Sequence, residues 1–391
     1  MAETLAHAAD KLRSALVKNP TTSPTTSPSM TSDALLTAVG LDHVNPYTLL
    51  QWAREHKIVH KAAGAYAATQ GTATSRASLY ALLTFLRAVG GDAGEGCVLC
   101  DEHELRYILL DASAPFSDVV ARAHSVVLAS GTLSPIDALT AQLFDTASKP
   151  QRVYSFNHVV PASNLTTTII AAAPNGPLDL RYGSRDRPET LAALQGTIQA
   201  LAGCIPHGLI VFFPSFKYMR AAIAAGVGRA LAKPLFSEPS DAAEVPRVLA
   251  AYAAAAQGAS SGAMLFSVCG GKLSEGINFG DQLGRGVVVV GLPYPDANSP
   301  EMQQRLAFAA RRGGGVRRAV YDGACFRAVN QCVGRVLRHS RDYAAIVLLD
   351  GRYRGCVDKL PRWVGGWGVD VESTEAAVAR LQRFFSVERQ Q

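Results

Sequence analysis

Four stretches of this chain are apolar at nearly every position: GLIVFF at 208–213, AMLFSV at 263–268, VVVVG at 287–291 and AIVLL at 345–349. Runs of this length without alternation read as strands buried on both faces. Between and around them, 188–203, 215–232, 241–256 and 323–339 carry the spacing of helices. Strands covered on both sides and alternating with helices predict an α/β fold, a parallel sheet flanked by helices. The first part of the chain has a different rhythm. Residues 34–39, 46–54 and 76–89 read as helices, the last with Leu79, Leu82, Leu83 and Leu86 on one face. LRYILL at 105–110 and SVVLA at 125–129 are short apolar runs that read as buried strands.

Breaks in the pattern set the expected organisation. PTTSPTTSPSMTS at 20–32 repeats TTSP and offers only Met30 for burial, so it predicts a flexible linker with a helix-like tail before it. PNGPLDLRYGSRDR at 174–187 reads as a long connection inside the architecture. A leader and linker are expected at 1–33, followed by a mostly helical part and then the α/β part.

Composition narrows the class. With 48% apolar and 18% charged residues over 391 positions, the chain is not disordered throughout. No run of about 18 apolar residues exists to span a membrane. The start, MAETLAHAADKL, lacks the layout of a secretory signal. Seven cysteines at irregular spacing read as reduced thiols, which points to a cytosolic or nuclear setting. Charge is uneven. Between Met302 and Arg341 nine arginines face one acid, Asp322, a local +8 in a chain whose total is +6. Such a stretch points to an anionic partner, nucleic acid or phosphate, or else to a solvated face whose acids come from elsewhere in the fold.

Ligands in a parallel α/β sheet bind beyond strand ends, and four segments there carry polar chemistry. In SVVLASGTLSP at 125–135, Ser130 and Thr132 flank Gly131, which lets backbone approach a ligand or a neighbouring motif. Taken alone, the segment also reads as a turn capping a helix at Ser134-Pro135. In GLIVFFPSF at 208–216, Pro214 ends the strand and Ser215 opens a helix, as a simple cap or as a phosphate site. VCGGKLSEGINF at 268–279 crowds glycines with Lys272, Ser274, Glu275, Gly276 and Asn278. It is not a P-loop, because position 266 is Phe and Leu273 follows the lysine. It reads as a phosphate-binding or motion-relaying loop, or as a tight glycine turn.

The fourth segment is AVNQCVGRVLRH at 328–339. On a continuous helix Cys325, Val329, Cys332 and Val336 form an apolar stripe. Gln331, Arg335 and Arg338 then fall within about 60° of one another on the opposite side. Two guanidinium groups so placed suit a transferring phosphate such as the γ-phosphate of ATP, and Gly334 implies close approach by a neighbour. The alternative is a solvated arginine face. Ser215, the 270–278 loop and the 331–338 helix are expected along one edge of the sheet. Cys97-Val-Leu-Cys100 lacks a second pair and reads as buried thiols, and Asp101-Glu102-His103-Glu104 as a solvated turn; no metal ligands are expected.

In this order, SGTLSP at 130–135, VFFPSF at 211–216, GKLSEGINF at 271–279 with VGLPYP at 290–295, and AVNQCVGRVLRH with YAAIVLLDGRY at 343–353 resemble motifs III, IV, V and VI of the XPD-like superfamily 2 DNA helicases. GGKLSEGINF and AVNQCVGR are most similar to the chromosome-loss, sister-chromatid-cohesion branch; Asn278 stands where most members have Asp. The resemblance runs over roughly 34–388. It implies the last part of a first motor domain at 34–150 and a whole RecA-like second motor domain at 151–391. The Walker A motif, the DEAH box and the four iron–sulfur cysteines of such proteins are not among these residues. The chain therefore reads as a truncated gene model or as a half-helicase working with a first motor domain in cis or in trans.

The resemblance implies roles. Arg335 and Arg338, ordered by Gln331, would reach the phosphates of ATP, which with Mg²⁺ is held mainly by the first motor domain. Glu275, Gly276 and Asn278 would couple nucleotide state to grip on DNA. Ser215, Lys272 and Ser274 would touch the DNA backbone, single-stranded or forked, and Ser130, Gly131 and Thr132 would link the first domain to DNA or nucleotide. Replication or cohesion proteins as partners, no membrane, 5′→3′ polarity and a nuclear setting are further implications. The competing expectation is a DNA-binding or protein-interaction module without ATPase activity.

Overall fold

The computed structural model describes residues 7, 9–12, 29–62, 64, 76–91, 95–101, 104–131, 133–144, 152–174, 176–229, 233–258, 261–365 and 369–388. Thr132, Glu102 and His103, most of the TTSP stretch and 230–232 of an expected helix lie outside the described residues. The chain divides into two compact units, 1–127 with 140–149 and 296–320, and 128–139 with 150–295 and 321–391.

The first unit joins helices to a small sheet. Helix Ser32–Ala38 is capped by Thr31, whose Oγ1 accepts from Ala34 N at 3.2 Å. Helix Pro46–Glu55 starts at proline, with Asn45 Oδ1 accepting from Tyr47 N and Thr48 N. These two and helix Arg76–Gly90 bury Leu35, Val39, Leu49, Leu83 and Leu86 against one face of the sheet. Strands β1 (Ser29–Met30), β2 (Gly96–Cys100) and β3 (Leu105–Leu109) are antiparallel. Residues 29–32, read as the end of the linker, thus enter a strand and a helix cap. Helix Pro300–Arg311 belongs to this unit, where Arg106 Nη1 meets Glu301 Oε2 at 3.1 Å.

The second unit is the expected α/β layer. Strands β4 (Leu165–Ala173), β5 (Gly176–Pro177), β6 (Gly208–Phe213), β7 (Leu235–Ser237), β8 (Ala263–Val268), β9 (Gly286–Val290), β10 (Ala344–Leu349) and β11 (Asp370–Ser373) form one sheet. Its order is β11-β4-β10-β9-β6-β8-β7, parallel throughout, with β5 antiparallel to β4. Alternate residues serve opposite faces. Leu209, Val211 and Phe213 pack with helices Pro188–Cys204, Phe216–Ala224 and Thr374–Glu388. Ile210 and Phe212 pack on the other side, with helices Val245–Gln257 and Gly314–Val333.

The amino ends of the strands are pinned by two buried ionic groups. Lys233, just before β7, donates to the carbonyls of His207 and Ser261 at 2.7 and 2.6 Å, just before β6 and β8. Asp342, just before β10, accepts from Arg285, just before β9, and the Asp342 carbonyl accepts from Asn164, just before β4. Among the described residues no helix is long and apolar enough to cross a membrane.

SVVLA at 125–129 is not a buried strand. It pairs with no strand among the described residues, and Val127 is 84% exposed. A five-residue apolar run becomes a strand only when another strand supplies its hydrogen bonds, and neither sheet reaches it.

Candidate functional site

The three segments expected on one sheet edge do not share it. Ser215 follows β6 and Cys269–Lys272 follows β8, both at the carboxyl edge. Arg335 and Arg338 lie between helix Gly314–Val333 and β10, at the amino edge. The reason is topological: a crossover helix returns the chain to the amino end of the next parallel strand. The loop after β8 makes the same journey, and Phe279 N donates to the Arg335 carbonyl at 3.0 Å. One segment therefore joins the two ends.

At the carboxyl edge, Ser215 Oγ accepts from Tyr218 N at 3.2 Å and caps helix Phe216–Ala224. The loop after β8 is held by Glu238, which is buried. Its carboxylate accepts from Ser267 Oγ at 2.7 Å, Val268 N at 3.0 Å and Leu273 N at 3.3 Å. A Cβ on residue 271 would lie 2.7 Å from Glu238 Oε1, so the close approach requires Gly271. Lys272 is exposed, and its Nζ donates to the Ser240 carbonyl at 2.9 Å. Arg220 donates to Ser240 Oγ, so one serine gathers two cations beside Ser215 and the loop. Ser274 is fully buried and donates to the Gly271 carbonyl at 2.8 Å; it presents no hydroxyl at the surface. Asn278 is exposed, while Glu275 and Gly276 continue the short helix Lys272–Gly276 with side chains outside the described residues.

At the amino edge the helix stops at Val333, five residues before Arg338. Gly334 N and Arg335 N bond back to the carbonyls of Asn330 and Cys332 at 3.1 and 3.2 Å, and the chain then leaves. Cys325, Val329, Cys332 and Val336 are all fully buried, as the stripe requires. Arg335 and Arg338 instead project from a turn and a loop, so the shared helical face does not exist. A Cβ at residue 334 would meet only carbonyl oxygens of the preceding helix within 4 Å; Gly334 serves the chain's exit, not a neighbour's approach.

Arg335 is half-buried, and its Nε is buried without a hydrogen-bond partner. Burial first, and then the charge of Arg335, hold the Arg338 pKa below its ordinary range, with Asp342 opposing. The Asp342 carboxylate also accepts from Arg338 N at 3.1 Å, Tyr343 N at 3.0 Å and Asp281 N at 3.4 Å. Gln331 is half-buried on the last turn of the helix.

The only described group of His, Cys or acidic side chains converging like metal ligands is Asp281, His339 and Asp342. It does not fit Mg²⁺. Asp342 already receives Arg285 and three backbone N–H groups, which fill the roughly four lone-pair positions of a carboxylate. An iron–sulfur cluster does not fit either. Cys97 and Cys100 lie in β2 in different apolar clusters, on opposite faces, and burial raises both thiol pKa values.

Ser130 and Gly131 are exposed. The segment after them docks on helix Gly314–Val333: Asn330 Nδ2 donates to the Ser134 carbonyl at 2.9 Å. Ser130, Ser134, Pro135, Gly323 and Arg327 line a cleft of 140 Å³ there. The basic stretch is not one patch. In the first unit Arg305, Arg311 and Arg312 pair with Glu301, Glu95 and Asp111. Reading the sequence missed Glu238, Ser240, Arg220, Asp342 and Asn330. Glu238, Ser240, Arg220 and Asp342 stand outside the quoted motifs, and Asn330, inside one, bonds to Ser134, 196 positions away.

A covered parallel sheet, a glycine loop after β8 and two arginines ahead of β10 make up an α/β domain of RecA-like fold. The helicase C-terminal domain family matches residues 198–366, and the chain resembles the XPD-like superfamily 2 helicases. It is 37% identical over 316 residues to "ATP-dependent DNA helicase CHL1" of Scheffersomyces stipitis, covering 75% of this chain and 38% of that protein. It is 35% identical over 319 residues to "ATP-dependent DNA helicase DDX11" of Danio rerio, covering 76% and 36%. Over 401 residues it is 33% identical to "ATP-dependent DNA helicase chl1" of Aspergillus niger, covering 90% and 46%. The chain thus spans less than half the length of these three relatives. The solved structure of S. tokodaii Xpd4 has the same fold, with a TM-score of 0.51 at 15% identity over 91% of this chain and 68% of that one.

Proposed function

We propose that this chain is the C-terminal motor half of an ATP-dependent DNA helicase. The observation that carries the reading is the backbone link from Phe279 to Arg335. It makes the Lys272 loop and the arginine turn parts of one strut. ATP enters as a substrate whose hydrolysis supplies the driving free energy. A first motor domain, in cis or in trans, holds its β- and γ-phosphates, because no Walker A pattern occurs in these residues. Arg335 and Arg338 neutralise the charge that develops on the transferring phosphate, and Gln331 orders them. The open Arg335 Nε fits that task.

At the other end, Ser215, Lys272 and Arg220 contact phosphodiesters of the strand, with little dependence on sequence. Glu275, Gly276 and Asn278 transmit displacement along the strut, and Ser130, Gly131 and Thr132 link the first domain to it. Ser274 acts from inside the loop, holding Gly271. By resemblance to the CHL1 branch, we place the protein in the nucleus, in genome maintenance and chromatid cohesion.

Two measurements test the reading. The purified chain is expected to bind single-stranded DNA with an affinity that falls steeply with salt, and to hydrolyse no ATP. Joined to the first motor domain of a CHL1-type relative, it is expected to become a DNA-stimulated ATPase. Robust hydrolysis by the chain alone, or no binding at low salt, overturns the half-motor account.

A further inference from the structure

We propose that Tyr182 and Arg185 form a stacking platform for a base of single-stranded DNA, beside Ser215 at the carboxyl edge. The inference rests on the DNA-binding reading above and adds a site to it. The segment between β4 and helix Pro188–Cys204 is a connection by sequence, but its middle is folded tightly. Ser184 N and Arg185 N both donate to the Arg181 carbonyl at 2.9 Å, and Arg181 N donates to Asp179 Oδ1 at 3.2 Å. Leu178 and Leu180 anchor it in the core.

The turn builds a three-layer stack. The Arg185 guanidinium carbon lies 4.8 Å from the ring centroid of Tyr182 and 4.8 Å from that of Tyr218. Tyr218 is 1% exposed and Tyr182 is 79% exposed. A buried ring, a cation and a bare ring follow one another outward. The stack is fastened to the motif helix: Tyr218 OH donates to the Arg185 carbonyl at 3.3 Å, and Tyr218 N donates to Ser215 Oγ. Among the described residues no carboxylate pairs with Arg185, and its Nε is buried without a partner.

A cation–π pair alone accounts for the inner two layers. A second such pair holds the outer ring, whose far face is left to water. Single-strand binders use that arrangement: bases stack on a fixed aromatic face while neighbouring cations take the phosphates. An acidic peptide would use the cation, but its side chains would accept an aliphatic residue in place of the ring. The choice of substitution separates the two.

The test uses the full chain, a fluorescein-labelled oligothymidylate, and a second oligonucleotide carrying 2-aminopurine. Tyr182→Leu is expected to weaken binding roughly 5- to 140-fold, the scale of one stacked base, and to abolish 2-aminopurine quenching, with the salt dependence unchanged. Tyr182→Phe is expected to bind like the parent. Arg185→Gln is expected to lower the slope of log K against log salt by about 0.7, one phosphate on a single strand. Tyr182 is a surface residue, so both Tyr182 variants keep the core. If the parent binds and Tyr182→Leu matches it in affinity and quenching, the platform is wrong and the helicase reading stands. If the parent does not bind at low salt, both fall.

Discussion

The Arg285 guanidinium and the Asp342 carboxylate meet at 2.7 Å with both side chains less than a tenth exposed. The Tyr343 ring lies 3.7 Å from the same guanidinium. Asp342 thereby joins the starts of three parallel strands to the loop that carries Arg338. Asp342→Ala leaves Arg285 buried with only the exposed Asp281 carboxylate, 4.0 Å away, a loss of about 3–5 kcal/mol. Urea denaturation should show it. The double variant Arg285→Met with Asp342→Leu should recover part of that loss, because it removes both charges but leaves the N–H groups of Arg338, Tyr343 and Asp281 without their acceptor. A double variant as unstable as the single would place the cause elsewhere.

Gly323 makes a second structural claim. A Cβ there would lie 2.3 Å from the Ala138 Cβ. Gly323→Ala must push helix Ile136–Leu143 away, at a cost of about 1–3 kcal/mol. Adding Ala138→Gly should restore the thermal midpoint. Failure of that rescue would refute the contact.

Arg335 and Arg338 are tested in the joined two-motor enzyme. Each change to alanine should lower ATP turnover roughly 10³-fold or more, the scale of a lost arginine finger. Affinity for DNA should change little, since both lie at the edge opposite Lys272. Unchanged turnover in both variants would refute the finger assignment.

His158 gives the folded state a pH dependence. Its ring stands 4.9 Å from that of Trp363, and its Nδ1 accepts from Val160 N at 3.2 Å. Burial first, and then the charge of Arg338, hold its pKa below the ordinary 6.5. The unfolded chain therefore binds a proton that the folded chain refuses. Stability from this group is complete above 6.5 and is lost as pH falls below it towards the folded-state pKa. His158→Gln should flatten the thermal midpoint between pH 7.5 and 5.5 relative to the parent. Parallel curves for the two would dismiss the assignment.

What the sequence made legible follows from packing. β6 and β8 could be bounded to the residue because both are buried throughout and, Ser267 apart, carry no polar side chain. β4 escaped notice because LTTTIIAAA opens on three threonines, although it lies inside the sheet and Thr168 is buried there, donating to Glu372. Helical spacing identified the Cys325 to Val336 stripe but could not show that the helix ends at Val333. Glycine 334 carried that information and was read as a contact. Glu238 is one of three acids in a turn-rich stretch, and its three donors come from residues 29 to 35 positions later. Tyr182 and Arg185 meet Tyr218 only through the fold.

The sheet of the second unit ends on its two shortest main-path strands, three-residue β7 and four-residue β11. An open sheet margin is a template on which foreign strands zip. Here each margin offers too few backbone groups to hold one, and at β11 Arg380 adds ion pairs with Asp370 and Glu372. Neither margin of this sheet therefore serves as a template on which two copies could fuse.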